Sequence, residues 1–137
     1  MGLLKGAKVR IDHAELSLTR DKDYAFCVRL SQESVELSIK SILRALSIEY
    51  TRTHDPGKIL EANRERLPDW LKAELDYLTY ASRWLRAERE PSMYGDEAEG
   101  IPPDKLYNEA YCVKALEAAE RVYSLAERLL RELQERR

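Results

Sequence analysis

From Leu4 to Leu133, apolar side chains return at alternating steps of three and four, segment after segment, and no useful stretch alternates every second residue. Steps of three and four line up on one stripe of a helix, whereas alternation would line up on one face of a strand. This periodicity restricts the chain to an all-α fold. The first stripe is Leu4, Ala7, Ile11, Ala14 and Leu18, followed by a polar break from Thr19 to Asp23 in which Asp21 or Asp23 can cap the next helix. A second helix is expected from about Lys22 to Ser47, with Tyr24, Cys27, Val28, Ser31, Val35, Ile39, Ile42 and Leu46 as its stripe. Arg29–Glu33 and Glu36–Lys40 are opposite charges four apart, which supports that helix.

Turn chemistry separates the remaining segments. "TRTHDPG" (51–57) ends the second helix, and a short helix follows from about Lys58 to Arg66. Pro68 suits the first turn of a further helix, with Leu71, Leu75, Leu78, Ser82 and Leu85 on its buried stripe and Trp70, Tyr77, Tyr80 and Trp84 beside it. That helix should stop near Glu90, because the residue before Pro91 disfavours helical angles. "PSMYGDEAEGIPPD" then reads as a long loop, about residues 91–103. A last helix is expected from about Asp104 to Gln134, with Leu106, Ala110, Val113, Leu116, Ala119, Tyr123, Ala126, Leu130 and Leu133 inward. Val122, Leu125 and Leu129 then look like a second apolar surface, which implies a homodimer. The expected architecture is one domain over residues 1–137, an up-and-down bundle of four long helices and one short one.

Composition narrows the function classes. Lys+Arg (23) nearly cancels Asp+Glu (25), so net charge calls for neither nucleic acid nor an anionic membrane. "MGLLKGAKVRIDHAEL" carries charges throughout, unlike a signal peptide, and no uncharged run is long enough to span a bilayer. Gly2 lacks the Ser or Thr that a myristoylation signal places at position 6. The cytoplasm is the expected compartment. Cys27 and Cys112 form no ligand cluster; they read as small buried hydrophobes on helices, with a structural disulfide as the alternative. Two scattered histidines complete no metal-binding spacing, and no phosphate loop or catalytic triad order is present. No cofactor or metal is expected.

Several polar groups remain. Gln32, Glu36 and Lys40 are spaced by four, either as a solvated face or as the lining of a polar groove. In such a groove the lysine could hold a phosphate and the glutamate could orient an arginine. Arg83, Arg86 and Arg89 fall on successive turns and could track phosphates, although Glu88 and Glu90 interleave. Arg89 before Pro91 also suits the negative end of a helix dipole. His13 reads as a partly exposed helix residue, and His54 as a partner for free carbonyls at the end of the second helix.

Three patches in order, "SQESVELSIKSIL" (31–43), "YTRTHDPGKIL" (50–60) and "REPSMYG" (89–95), resemble the HEPN family of helical domains, named for higher eukaryotes and prokaryotes nucleotide-binding. The likeness spans roughly residues 5–134 and is to the small stand-alone prokaryotic and archaeal members. It implies an up-and-down helical bundle that dimerises. Active members are metal-independent ribonucleases with an arginine followed, four to six residues on, by a histidine. There the arginine would stabilise the phosphate transition state, and the histidine would serve as acid or base for the 2′-hydroxyl. Many prokaryotic members pair with a separately encoded minimal nucleotidyltransferase, as toxin and antitoxin. Arg89 matches the arginine, but the histidine position is Tyr94, and the position two beyond, a tyrosine in some members, is Asp96. A tyrosine, with a pKa near ~10, is a poor proton shuttle at neutral pH.

The resemblance implies a non-catalytic or weakly catalytic homodimer that binds a nucleotide, RNA or a partner nucleotidyltransferase. The expected site is Arg89 and Tyr94 with Glu36, Lys40, Gln32, Arg86 and Asp96. The alternatives are a metal-independent endoribonuclease in which Tyr94 replaces the histidine, and a purely structural helical dimer.

Overall fold

The computed structural model describes residues 2–136. Helix α1 (Gly2–Leu16) passes through a wide π-helical turn at Ser17–Asp21 into α2 (Tyr24–Ala45). Asp23 is the cap of α2, its carboxylate accepting the Phe26 amide (3.1 Å). Helix α3 (Gly57–Ala62) and a 3₁₀ turn at Arg64–Arg66 lead to α4 (Asp69–Lys72), α5 (Leu75–Ala87), α6 (Arg89–Tyr94), α7 (Pro103–Leu106) and α8 (Glu109–Glu135). Among the described residues the fold is all α apart from one isolated antiparallel bridge, Asp96 with Ile101.

Named contacts give the helix directions. Ser34 Oγ donates to the Ala7 carbonyl (2.9 Å) and Arg10 pairs with Glu33 (2.8 Å), so α1 and α2 run antiparallel. Cys27 and Cys112, at the starts of α2 and α8, are joined by a disulfide, so these two helices start at the same end of the bundle. Trp70 donates to Glu132 (2.9 Å) and Trp84 to Tyr111 (2.8 Å), so the α4–α5 segment runs against α8. The result is an up-down-up-down bundle with α2 and α8 as its central pair. Its core includes Val28, Val35, Ile39, Ile42, Leu71, Leu78, Leu85, Val122 and Leu129.

Five expectations need correction. The cysteines are bonded to each other rather than free. The helix expected from Pro68 to Glu90 is broken at Ala73–Glu74 and again at Glu88. Pro91 does not end it: a new helix starts at Arg89, and Pro91 lies in its first turn, where a missing amide costs no intrahelical bond. The stretch 91–103 is therefore not one loop. It holds the end of α6, the 96–101 bridge and the start of α7. The last helix begins at Glu109 rather than Asp104, because the Asn108 side chain caps it by accepting the Tyr111 amide (2.9 Å).

The fifth correction concerns the inward face of α8. Val122 and Leu129 are buried inside the chain's own core, with Cys112, Ala115, Ala118, Ala119 and Ala126. Ala110 is exposed, and Val113, Tyr123, Leu130 and Leu133 are only partly covered. The stripe is rotated because alanines line the seam against α2, where small side chains allow close helix approach. Two of the three residues taken as a surplus apolar surface therefore belong to the core.

Candidate functional site

The polar stripe of α2 faces inward. Gln32 is buried although it carries an amide, and such a group needs partners. Its Nε2 donates to Glu36 Oε1 (3.1 Å), and its Oε1 lies 3.5 Å from Arg89 Nη1. The other carboxylate oxygen of Glu36 takes the Lys40 ammonium (3.0 Å), and both side chains are only 13% exposed. Lys40 also sits over the Tyr50 ring, 5.8 Å from its centroid. The chain of contacts closes at His54, whose Nδ1 lies 3.0 Å from Glu36 Oε1. The imidazole is 45% exposed, and its Nε2 has no protein partner among the described residues.

Glu36 is the hub. Burial pushes its carboxyl up, but hydrogen bonds from Lys40, His54 and Gln32 outweigh that cost and hold it below the ordinary carboxylate value. With Glu36 ionised, Nδ1–H of His54 donates to it, which leaves Nε2 as the free nitrogen.

The turn "THDPG" is held in place by a buried clamp. Ser82 Oγ on α5 donates to Asp55 Oδ1 and accepts the Gly57 amide (3.1 Å). Asp55 is buried, and its own amide is taken by Thr53 Oγ1 (3.0 Å). A Cβ on Gly57 would lie 2.8 Å from Ser82 Cβ, so only glycine lets the turn approach α5. This clamp sets His54 beside Glu36. The free carbonyl at the end of α2, expected to engage His54, is taken instead by Arg66, which donates to Leu46 O.

The expected site residues divide into two places. Gln32, Glu36, Lys40 and Arg89 come together, joined by His54, which sequence reasoning had not placed there. Tyr94 is 58% exposed and lines a surface depression with Glu90, Pro91, Gly95, Asp96, Glu97 and Leu106. Asp96 accepts the Glu99 amide (3.1 Å) there, and neither Tyr94 nor Asp96 bonds to the buried cluster. Gly95 needs its positive φ (74°), and a Cβ there would meet Ile101 O at 2.1 Å. Arg86 is exposed and forms no ion pair among the described residues. His13 is an exposed residue of α1. Among the described residues no group of His, Cys, Asp and Glu is arranged to hold a metal ion, and no helix is long and apolar enough to cross a membrane.

An up-down-up-down bundle with a lysine and a histidine on one mostly covered carboxylate, and an arginine joined to it through a buried glutamine, defines a class of helical domain with a half-sunken polar site. A family model for the HEPN domain matches residues 1–133 of the 137. The chain belongs to the HEPN domain family. Membership supports a nucleotide- or RNA-binding, or ribonuclease-like, helical domain. No match was found among curated proteins or among solved structures.

Proposed function

We propose that the Arg89–Gln32–Glu36–Lys40–His54 cluster binds the phosphate of a nucleotide or of RNA, with little or no catalysis. One observation carries this reading. Arg89 is half-buried, yet its only side-chain partner among the described residues is the neutral Gln32 carbonyl at 3.5 Å. A guanidinium held without a carboxylate keeps most of its donors for an incoming anion, and a phosphate matches its fork. Lys40 is already matched by Glu36, so Arg89 supplies the net attraction.

Calorimetric titration with ATP and with a short single-stranded RNA tests this. Arg89→Ala should weaken binding roughly tenfold or more while the helical signal stays unchanged. Equal affinity in the variant would remove the site. The protein would work as a cytoplasmic homodimer beside a separately encoded minimal nucleotidyltransferase, in a toxin–antitoxin-type pair. Co-purification of the two products, and light scattering on the protein alone, check those parts.

A second reading is a metal-independent endoribonuclease. The observation that favours it is His54, held by Glu36 with Nε2 open, on the same network as Arg89. It supplies an imidazole that position 94 lacks. Cleavage of RNA in EDTA, lost in Arg89→Ala, would support this reading, and His54→Ala against Tyr94→Phe would tell which residue moves the proton. Intact RNA at high protein concentration leaves binding alone.

A further inference from the structure

A second surface, away from the polar cluster, carries the chain's densest group of rings. Tyr77, Tyr80 and Trp84 are three and four apart on α5 and share one face. Tyr80 is stacked on Trp84, with ring centroids 5.9 Å apart and planes 19° apart, and Tyr77 is tilted against Tyr80 at 6.3 Å. Trp84 continues the series to Tyr111 at 5.9 Å, and Tyr111 to Tyr107 at 5.2 Å.

Trp84 and Tyr77, the two rings that flank Tyr80, are fixed from behind. Trp84 Nε1 donates to the Tyr111 hydroxyl (2.8 Å), which itself donates to Glu88. The Lys114 ammonium sits 4.5 Å from the Trp84 centroid, and Arg121, paired with Glu74, sits 3.7 Å from that of Tyr77. Yet Tyr80 is 50% exposed, and it lines a surface depression with Trp84, Thr79, Arg83 and Glu61. Among the described residues no Ala, Val, Leu, Ile or Met lines this depression. Arg83 is exposed and forms no ion pair among the described residues.

We propose that this face of α5 is a stacking platform for unpaired bases of single-stranded RNA, with Tyr80 as the ring that a base covers and Arg83 as the contact to the adjoining phosphate. Pre-fixed rings lose little freedom on binding, and an unpaired base offers the flat π-face that such a surface accepts. A cation beside the rings fits a polyanion better than an apolar protein patch, which would call for aliphatic lining. Glu61 opposes phosphate at its own edge, which leaves Arg83 as the side on which the backbone runs, while its carboxylate can accept a base amino group. The inference uses the nucleic-acid reading of the family and does not depend on Arg89.

The experiment is a titration with oligoadenylate of about 12 nucleotides, within the span such surfaces cover. Trp70→Phe leaves Trp84 as the only indole, so its fluorescence reports the platform directly. Anisotropy of a labelled oligonucleotide on the unaltered chain gives the same affinity if that variant folds poorly. Single strands should quench Trp84, and the duplex with oligouridylate should not. Tyr80→Ala should weaken binding roughly tenfold, and Tyr80→Phe should retain it. Arg83→Gln should reduce the slope of log affinity against log salt by about 0.7, one phosphate's share on a single strand. Equal affinity in Tyr80→Ala, equal quenching by the duplex, or a Tyr80→Ala change in the protein's own mass by light scattering would overturn the proposal, the last by making the patch an interface between copies. Arg89→Ala in the same titration separates the two sites. If it abolishes binding while Tyr80→Ala is silent, the polar cluster stands and the platform falls. The opposite pattern keeps the platform and removes the cluster as an RNA site, leaving its nucleotide role to the ATP titration.

Discussion

Glu36 shows how one side chain organises a site. Its lowered pKa makes the cluster a source of pH-dependent stability. A carboxylate held below its ordinary value stabilises the fold fully above that value, and the contribution is lost as pH falls through the folded-state pKa. Glu36→Gln should therefore be less stable than the parent at neutral pH, with a gap that narrows below the ordinary value of 4.5, and urea unfolding across that range measures it. Tyr111 titrates at the other extreme: burial and its hydrogen bond to Glu88 push it up to about 12, so it stays neutral and keeps donating. The sequence made Gln32, Glu36 and Lys40 legible as a set, because their spacing of four places them on one face. It could not show that the face points inward, since Arg89 reaches Gln32 from 57 residues away. His54 was hidden for a related reason. Its position depends on Asp55, Gly57 and Ser82 meeting across 25 to 27 residues. The serine within an otherwise leucine-rich stripe was the one local trace of that clamp.

At the level of elements, helix existence was readable, and helix phase was readable on α1, α2 and α5 but not on α8. The stripes of α1 and α2 follow the periodic pattern, with Leu4, Ala7, Ile11 and Ala14 buried on the first and Cys27, Val28, Val35, Ile39 and Ile42 on the second. On α8 alanines recur around the helix, so several stripes fit equally well by pattern. Packing against α2 chose the one with Val122 and Leu129 inside. The choice has a measurable consequence. Leu129→Ala should cost about 2–5 kcal/mol, the range for emptying a buried leucine site, whereas Leu133→Ala should cost clearly less. Equal losses in thermal or urea unfolding would return α8 to the phase expected from sequence. The boundaries near Pro91 were misjudged through a rule that is sound for helix interiors. Proline blocks a helix that runs through it, but it is compatible with one that has just begun, and the break at Glu88 supplies that new beginning.

For the molecule as a whole, the all-α bundle and the family were both legible, while the covalent link between α2 and α8 was only an alternative. Two cysteines 85 residues apart carry no local signature of pairing, and only the folded chain brings their Cα atoms to 5.8 Å. Closing so long a loop restricts the unfolded chain, so reduction, or paired Cys27→Ser and Cys112→Ser, should lower stability by about 2–4 kcal/mol in denaturant titrations run with and without reductant. An unchanged midpoint would mean that the helices pack as well without the bond. The same link has a topological side. Gln32, Glu36, Lys40, His54, Tyr80, Arg83 and Arg89 all fall between Cys27 and Cys112, inside one closed covalent ring. A protease that nicks the exposed 97–100 turn would open the ring without releasing α8, because both candidate surfaces lie on the N-terminal side of the cut and Cys27–Cys112 keeps that piece linked to α8 until a reductant acts.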